Sequence, residues 1–295
     1  MKKIGVIIPT FNIEYSADFL NGIYDFYSDK DVKILVAQTK LPHSTVGVYD
    51  YQYWSTVEFL FSQEVDALVV ASGVYCASLS QKALEEELFK FGRRPIVSIA
   101  IPLNLPNCYT VLANCKKSFN DIVFHLKNVH GCKKIAFMSA NATGSSEAIE
   151  RFVAFKEALA QNKLKFSEKN YFEGNFTDFD AEASLRKVLK SKKDLSFDAI
   201  VCANDMMAIG CNRVFKDLEI DVPQDVKVVG FDDAQFAAYS NPRLSTINQN
   251  IYKQGYDSAQ VAFDILDGKE VEKTVYTDLM PKFRQSCGCI EKDDL

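Results

Sequence analysis

The sequence predicts an α/β protein built from two doubly wound parallel-sheet lobes that are joined by a three-strand hinge. Three observations predict this fold class. Apolar segments recur in the same order about 130 positions apart, short apolar runs alternate with amphipathic segments, and the C-terminal part is too short to form another domain. A duplicated half of this kind indicates two similar lobes with a cleft for a small ligand.

The repeat comprises four pairs of segments that keep their order along the chain. The paired segments are Lys2–Ile4 with Lys133–Ile135, Val32–Ile34 with Leu164–Phe166, Asp66–Val70 with Asp198–Cys202, and Ile96–Pro102 with Val226–Asp232. Each pair is expected to form equivalent strands in the two lobes.

Short apolar runs predict strands that are buried on both faces, as in parallel sheets covered by helices. The predicted strands span 4–9, 32–37, 66–71, 96–101, 109–113, 134–139, 199–203 and 226–231. Helical periodicity between them predicts helices over 18–27, 53–63, 79–91, 118–129, 146–161, 181–190 and 205–218.

The segment from about residue 243 offers one helix, at 254–266, and strands at 271–277 and around Phe283. If the helix joins the first lobe and the end joins the second, the chain crosses between lobes three times. The predicted N-terminal lobe is therefore 1–112 with 250–277, and the C-terminal lobe is 113–249 with 278–295. Three hinge strands would permit closure about the cleft.

Composition excludes several classes of protein. The chain has 295 residues, is 47% hydrophobic and 25% charged, and carries a net charge of −5, which argues against a large nucleic-acid surface. No apolar stretch approaches the ~20 residues of a membrane span, and the N-terminal apolar run is too short for a secretory signal. The eight cysteines are scattered, which predicts a reducing, cytoplasmic compartment.

Ligands of open parallel sheets bind at the carboxyl ends of strands, so the residues at those positions are candidates for contact. They are rich in amides, carboxylates and aromatics, which suit a neutral polyol or a purine. The candidates are Phe11, Asn12, Ser72, Phe176, Asn204 and Asp232. Phe11 and Phe176 have core packing as an alternative role, Asp232-Asp233 could form a turn, and Asp205 is expected to cap the following helix.

Signals for catalysis, cofactors or metals are weak. The sequence contains no phosphate-binding glycine loop, no dinucleotide fingerprint, no H-E-x-x-H and no G-x-S-x-G, and no cofactor is expected. Cys287-Gly288-Cys289 could be a metal or redox pair. Because no second Cys or His cluster is evident in the sequence, an inert terminal turn is favoured and no metal site is predicted.

Four segments resemble the effector-binding domain of the lactose/galactose-repressor (LacI/GalR) family, which has the type I periplasmic-binding-protein fold. They are HLKNVHGCKKIAFMSA (125–140), SSEAIERFVAFKEALAQNKL (145–164), FDAIVCANDMMAIGC (197–211) and DVPQDVKVVGFDDAQFAAYSNPRLSTINQN (221–250). The resemblance extends over essentially the whole chain.

The resemblance implies roles for five residues of the second half. Arg151 matches an arginine that reaches into the cleft, and Asp232 matches the ligand-binding aspartate. Gln249 lies at a hinge or ligand position, Asn204 at that of an amide contact, and Phe176 at that of a stacking aromatic. Pairing with Asp232 would make a partly buried guanidinium tolerable.

Departures from the family concern the ligand and the output. Family members often have acidic residues where this chain has Ala100 and Asn114, so a hexose is not a safe inference. They also begin with a helix-turn-helix, which is expected to be missing before Met1, so no direct DNA contact by this chain is expected. The VHGCKKIAF and RQSCGC segments resemble a branch whose ligand-binding module is joined to other output modules, including C-terminal ones.

The favoured function is therefore a cytoplasmic, homodimeric sensor module that binds a sugar-like or nucleoside-like effector and acts by cleft closure in a transcriptional or signalling regulator. The alternative on the same fold is an extracytoplasmic solute-binding transport receptor, which the scattered cysteines oppose. A third hypothesis is a glycoside or nucleoside hydrolase with a carboxylate pair. It is disfavoured because Asp232 and Asp233 are neighbours whose side chains should diverge.

Overall fold

The computed structural model describes residues 1–11, 13–40, 49–76, 79–140 and 146–290. Strands and helices alternate along the first part of the chain in the order β1 (Lys2–Ile8), α1 (Glu14–Tyr27), β2 (Val32–Gln38), α2 (Ser55–Ser62), β3 (Ala67–Val70), α3 (Ser72–Cys76), α4 (Gln81–Phe89), β4 (Ile96–Ile99) and β5 (Cys108–Ala113). They continue as α5 (Cys115–Asn128), β6 (Ile135–Ser139), α6 (Ser146–Gln161), β7 (Tyr171–Glu173), α7 (Asp178–Val188), β8 (Ala199–Cys202), α8 (Asp205–Asp217), β9 (Lys227–Val229), β10 (Thr246–Asn248), α9 (Ile251–Leu266), β11 (Thr274–Thr277) and β12 (Met280–Lys282).

The chain divides into two compact units. Unit 1 contains Met1–Ala113 and Asn250–Thr277, and unit 2 contains Asn114–Gln249 and Asp278–Leu295. The backbone therefore passes from one unit to the other three times. Among the described residues, none of the helices combines the length and the apolar character that a membrane span requires.

Unit 1 contains a six-stranded sheet in the order β11-β5-β4-β3-β1-β2, and every pairing in it is parallel. Both faces are covered. In β1, Ile4, Val6 and Ile8 lie in one apolar cluster, whereas Ile7 lies in the cluster on the opposite face. The alternation of side chains along a strand produces this division, and it explains why the strand is apolar throughout.

Helices α1 and α9 pack closely against each other within unit 1. A Cβ atom on Gly22 would lie 2.0 Å from the Tyr252 carbonyl oxygen, and one on Gly255 would lie 2.1 Å from the Phe19 carbonyl oxygen. The Tyr27 hydroxyl donates a hydrogen bond to the Ala259 carbonyl at 2.8 Å. The two glycines therefore allow the helix backbones to touch.

The only tryptophan of the chain, Trp54, belongs to unit 1. Its ring packs edge-on against Tyr75 with 5.8 Å between centroids, and its Nε1 donates to Glu87 at 3.2 Å. Trp54 is half-buried beside the apolar cluster that contains Ile7.

Unit 2 contains a four-stranded parallel sheet in the order β7-β6-β8-β9 and a separate antiparallel pair, β10 with β12. The chain leading into β10 runs alongside β9, where the Gly230 N–H donates to the Ser245 carbonyl at 2.8 Å. Further on, the Asp232 N–H donates to Ile247 at 2.9 Å. The predicted α/β class with parallel sheets is confirmed.

One strand of the predicted repeat was wrong. Residues 164–166 were paired with the strand at 32–34, but the edge strand of unit 2 is β7. Lys163 adopts a left-handed backbone with φ of 57°, and the Leu164 N–H donates back to the Leu159 carbonyl at 2.8 Å. Lys163 and Leu164 therefore cap the end of helix α6, and residues 164–166 form no strand. The short elements α3, β7 and β10 were not predicted.

Candidate functional site

The carboxyl ends of the unit 2 strands bring several predicted site residues to one edge of the sheet. Phe176 follows β7, Asn204 follows β8, and Asp232 follows β9. Arg151 reaches this edge from helix α6, and Gln249 follows β10. Unit 2 therefore gathers five of the eight predicted residues.

Arg151 is buried, with 5% of its surface exposed, and its guanidinium is held by several groups. Nη1 donates to the Ala203 carbonyl at 2.6 Å and lies 3.8 Å from an Asp232 carboxylate oxygen. The guanidinium carbon lies 4.0 Å from the centroid of the Phe231 ring and 5.6 Å from that of Phe176. Stacking on aromatic rings and bonding to a carbonyl fix its orientation.

The Asp232 carboxylate is the negative charge that lies beside the Arg151 guanidinium. This carboxylate accepts a hydrogen bond from Gln249 Nε2 at 2.6 Å, and 35% of the Asp232 side chain stays exposed. Burial of the group raises its pKa to about 6, against the lowering effect of Arg151 and of the Gln249 hydrogen bond. The backbone of Asp232 has a φ of 119°, which residues with side chains rarely adopt. Such strained backbone conformations are more frequent at functional sites than elsewhere.

Asn204, and not Asp205 as predicted, caps helix α8. Asn204 is extended, with φ of −154°, and its side-chain oxygen accepts from the Met207 N–H at 2.9 Å. Its Nδ2 donates to the Phe176 carbonyl at 3.0 Å. Asn204 therefore joins the start of α8 to the loop after β7, and its contact with a ligand stays a prediction.

Asp205 instead lies buried under the site, with 1% of its surface exposed. It accepts hydrogen bonds from the Thr246 hydroxyl at 2.6 Å and from the Ala234 N–H at 2.8 Å. Burial, together with the nearby Asp232 and Asp233 carboxylates, raises the pKa of Asp205 to about 7, against the lowering effect of these two hydrogen bonds.

Replacing Asp205 with asparagine should reduce the pH dependence of stability. Between pH about 4 and about 7 the folded protein holds a proton on Asp205 that the unfolded chain has lost. This contribution to the free energy of unfolding is therefore full below pH about 4 and is lost as pH rises through about 7. The free energy of unfolding of the wild-type protein should therefore fall across this pH window. In Asp205→Asn we expect this fall to be smaller by roughly 2–4 kcal/mol, as measured by urea unfolding at a series of pH values.

Asp217→Asn, which changes an exposed acid on the same helix, is the matched control. An unchanged pH profile in Asp205→Asn would show that the buried carboxyl does not titrate in this window.

The neighbouring acid Asp233 has a different set of partners from Asp232. Its carboxylate lies 2.8 Å from Arg284 Nη2 and accepts from Asn248 Nδ2 at 2.8 Å. The two adjacent carboxylates therefore diverge, which argues against a hydrolase that uses them to flank one bond.

The predicted contacts from the first half of the chain belong to unit 1. Phe11 is 48% exposed after β1, and its N–H lies 3.4 Å from Gln38 Oε1. Ser72 is fully buried and accepts a hydrogen bond from Ser98 Oγ at 2.8 Å. Asn12 lies outside the described residues. Ligand contact by these three residues stays a prediction.

Two residues near the guanidinium were not predicted. Glu147 lies one turn before Arg151 on α6, with 3.8 Å between charged atoms, and Phe231 supplies the ring beneath the guanidinium. The i,i+4 spacing of Glu147 and Arg151 was a readable signal, whereas the role of Phe231 depends on the strand order.

The prediction that no metal site exists assumed that no second Cys or His cluster lies near Cys287 and Cys289, and this assumption was wrong. Cys287 and Cys289 were expected to form an inert turn because no second cluster was evident, but His125 and His130 lie beside them. The two histidines come from the end of α5 and the turn after it, which are remote in sequence from the cysteines.

Comparison with known proteins shows the family to which the chain belongs. A model of the periplasmic binding protein-like domain family matches residues 124–287. The chain is 22% identical over 295 residues to the HTH-type transcriptional regulator MalR of Clostridium butyricum, covering 97% of this chain and 82% of that protein. It is 25% identical over 278 residues to the HTH-type transcriptional repressor PurR of Vibrio parahaemolyticus, covering 93% and 78%.

Solved structures agree on the fold. The transcriptional regulator CelR in complex with cellobiose superposes with a TM-score of 0.74 at 21% identity, covering 97% of this chain and 84% of that one. The Escherichia coli transcriptional repressor ascG superposes with a TM-score of 0.70 at 22% identity, covering 99% and 100%.

Proposed function

Because the chain belongs to the periplasmic binding protein-like domain family, we propose that it is the small-molecule effector-binding sensor module of a transcriptional or signalling regulator. The observation that carries the proposal is the constellation of Arg151, Asp232 and Gln249 at the carboxyl edge of the unit 2 sheet.

The chemistry of this constellation suits a ligand rich in hydroxyl groups. The Asp232 carboxylate accepts hydrogen bonds, and the Arg151 guanidinium and the Gln249 amide donate them. A sugar-like or nucleoside-like molecule presents neighbouring hydroxyls that both donate and accept, and Phe176 offers a ring for its apolar face. Arg151 is already oriented by Ala203 and Phe231, so little conformational entropy is lost on binding.

The relatives support a regulator in preference to a transport receptor. MalR and PurR are named as transcriptional regulators, and the solved CelR structure holds cellobiose. We propose a sugar-like or nucleoside-like effector for this chain because of that likeness and because of the polar groups around Asp232.

Binding is proposed to act by shifting a conformational equilibrium. A ligand that contacts residues of both units in only one of their arrangements favours that arrangement by its differential affinity. Phe11, Asn12 and Ser72 are the proposed contacts from unit 1. The proposal further includes a cytoplasmic homodimer that passes the change to the output part of the regulator.

Asp232→Asn should weaken effector binding about tenfold, ~1.4 kcal/mol. The variant keeps the shape of the side chain but loses the charge that opposes Arg151 and one acceptor for ligand hydroxyls. Calorimetry against a panel of sugars, nucleosides and nucleobases would identify a compound that binds the wild-type protein, and the same compound would then be titrated into the variant.

Asp217→Asn again serves as the control and should bind as the wild type does. Absence of heat with every compound of the panel, from a folded wild-type protein, would contradict the proposed function. Equal affinity in Asp232→Asn would contradict the proposed site alone.

A further inference from the structure

Four potential metal ligands converge in unit 2, away from the residues proposed to bind the effector. His125 lies near the end of α5 and His130 follows that helix, whereas Cys287 and Cys289 lie beyond β12. One donor atom from each of these four side chains lies within 4.8 Å of all the others.

Three sulfur–nitrogen distances between donor atoms fall in the range of a tetrahedral site, and the nitrogen–nitrogen distance is slightly shorter. Cys289 Sγ lies 3.3 Å from His125 Nε2 and 3.5 Å from His130 Nε2, and Cys287 Sγ lies 3.7 Å from His125 Nε2. The two Nε2 atoms are 3.0 Å apart. Zinc–sulfur bonds of about 2.3 Å and zinc–nitrogen bonds of about 2.0 Å at tetrahedral angles place donor atoms about 3.3–3.8 Å apart.

The protein holds these side chains in place by other contacts. The Phe283 ring stacks on the His125 imidazole with 3.7 Å between centroids and an interplanar angle of 18°. The Ser286 hydroxyl donates to the Val228 carbonyl at 2.6 Å and accepts from the Ser245 N–H at 2.8 Å. The segment that carries both cysteines is therefore fixed to the core of unit 2.

Gly288 allows the turn that brings both thiols to the same side. Its φ is 97°, a conformation that residues with side chains rarely adopt, and a Cβ atom there would lie 3.2 Å from His130 Cε1. A C-x-C segment with glycine at its centre therefore fits beneath the His130 ring.

We propose that His125, His130, Cys287 and Cys289 bind a structural zinc ion. Two thiolates and two imidazoles form the borderline-soft donor set that favours zinc, and four protein ligands fill a tetrahedral shell without an open position for substrate. Two thiolate charges neutralise the dication, which makes the partly buried site electrostatically acceptable. The ion joins the end of α5 to the segment after β12, and the inference does not depend on the proposed function.

Metal analysis of the full chain tests this inference directly. Protein purified under reducing conditions without chelator should contain about one zinc ion per chain by inductively coupled plasma mass spectrometry. Exchange for cobalt should produce thiolate-to-cobalt charge-transfer bands in the near ultraviolet together with the strong visible bands of tetrahedral cobalt.

Cys289→Ser and His130→Gln should each lose most of the bound zinc and weaken the cobalt charge-transfer bands or shift the visible bands. Cys76→Ser, which changes a half-buried thiol of unit 1, is the matched control and should retain zinc. Wild-type zinc content in both site variants would overturn the assignment of ligands.

The wild-type protein provides a test that does not require the variants to fold. Removal of zinc with a chelator should make the Cys287 and Cys289 thiols reactive towards an alkylating reagent, with both modified sites identified by mass spectrometry. A reduced, folded protein that contains no metal and binds no cobalt would overturn the proposal, as would a Cys287–Cys289 disulfide in the native protein.

Discussion

Arg151→Ala should weaken effector binding at least tenfold and up to about a hundredfold, ~1.4 to ~2.7 kcal/mol. The substitution removes the main cation of the proposed site. It leaves the Asp232 carboxylate without its opposing charge and the Ala203 carbonyl without its donor. Affinity for the panel compound that binds the wild-type protein would be measured by calorimetry.

The effect on binding should exceed that of Asp232→Asn because Arg151 also supports the geometry of its neighbours. Its guanidinium packs on Phe231 and reaches towards Phe176, so truncation opens space as well as removing charge. Arg151→Lys keeps the charge but lacks the planar fork that stacks and bonds at the same time, and we expect it to recover only part of the affinity.

Arg186→Ala is a suitable control for this prediction. Arg186 lies on α7 in the same unit, is more exposed, and pairs with Glu182 and Asp217. The Arg186→Ala variant should bind the compound with wild-type affinity. Circular dichroism would confirm that this variant and Arg151→Ala both fold. Wild-type affinity in Arg151→Ala would show that the site has been placed wrongly.

Gly255→Ala should lower the free energy of unfolding of unit 1 by about 2–3 kcal/mol. Helix propensity alone predicts the opposite sign, because alanine is favoured over glycine by about 1 kcal/mol inside a helix. Here the new methyl group would lie 2.1 Å from the Phe19 carbonyl oxygen, which is backbone and cannot turn away. Helices α1 and α9 must therefore separate.

Chemical unfolding measures both the size and the sign of this effect. Gln260→Ala changes an exposed position of the same helix and should alter the free energy of unfolding by at most about 0.5 kcal/mol. A stabilised Gly255→Ala protein would mean that the helices tolerate a wider separation than the structure shows.

The fold was predictable from the sequence because its strands are apolar on both faces. The runs around Ile4, Val69 and Val97 became central strands of one parallel sheet, and the periodicity at 146–161 predicted α6 with its observed ends. Edge and hinge elements carry weaker signals. Strand β7 has three residues, and Leu164 was misassigned because an apolar residue in a helix cap resembles the start of a strand.

The site was partly predictable because strand ends can be read from strand positions. Asp232, Asn204 and Phe176 were predicted at strand ends in this way, together with a family resemblance, and their contact with a ligand stays a prediction. The buried state of Asp205 was not predictable, since it depends on Ala234 in the loop after β9 and on Thr246 in β10, which lie next to it only in the folded unit. Local helix rules therefore favoured a cap at Asp205, one residue after the true one.

The cluster of His125, His130, Cys287 and Cys289 shows a second limit of sequence reasoning. The two pairs are separated by most of the length of unit 2. His125 and His130 have an H-x4-H spacing that occurs in zinc motifs, but the C-x-C spacing of Cys287 and Cys289 is not one of the common ones. Only the folded chain brings them together.

The position of Trp54 has a practical consequence. Because this is the only indole in the chain and it packs on Tyr75 inside unit 1, intrinsic tryptophan emission selectively monitors that half of the protein. Far-ultraviolet circular dichroism, by contrast, averages over all helices. Comparing the two signals during one denaturation would reveal whether the halves melt together or in sequence.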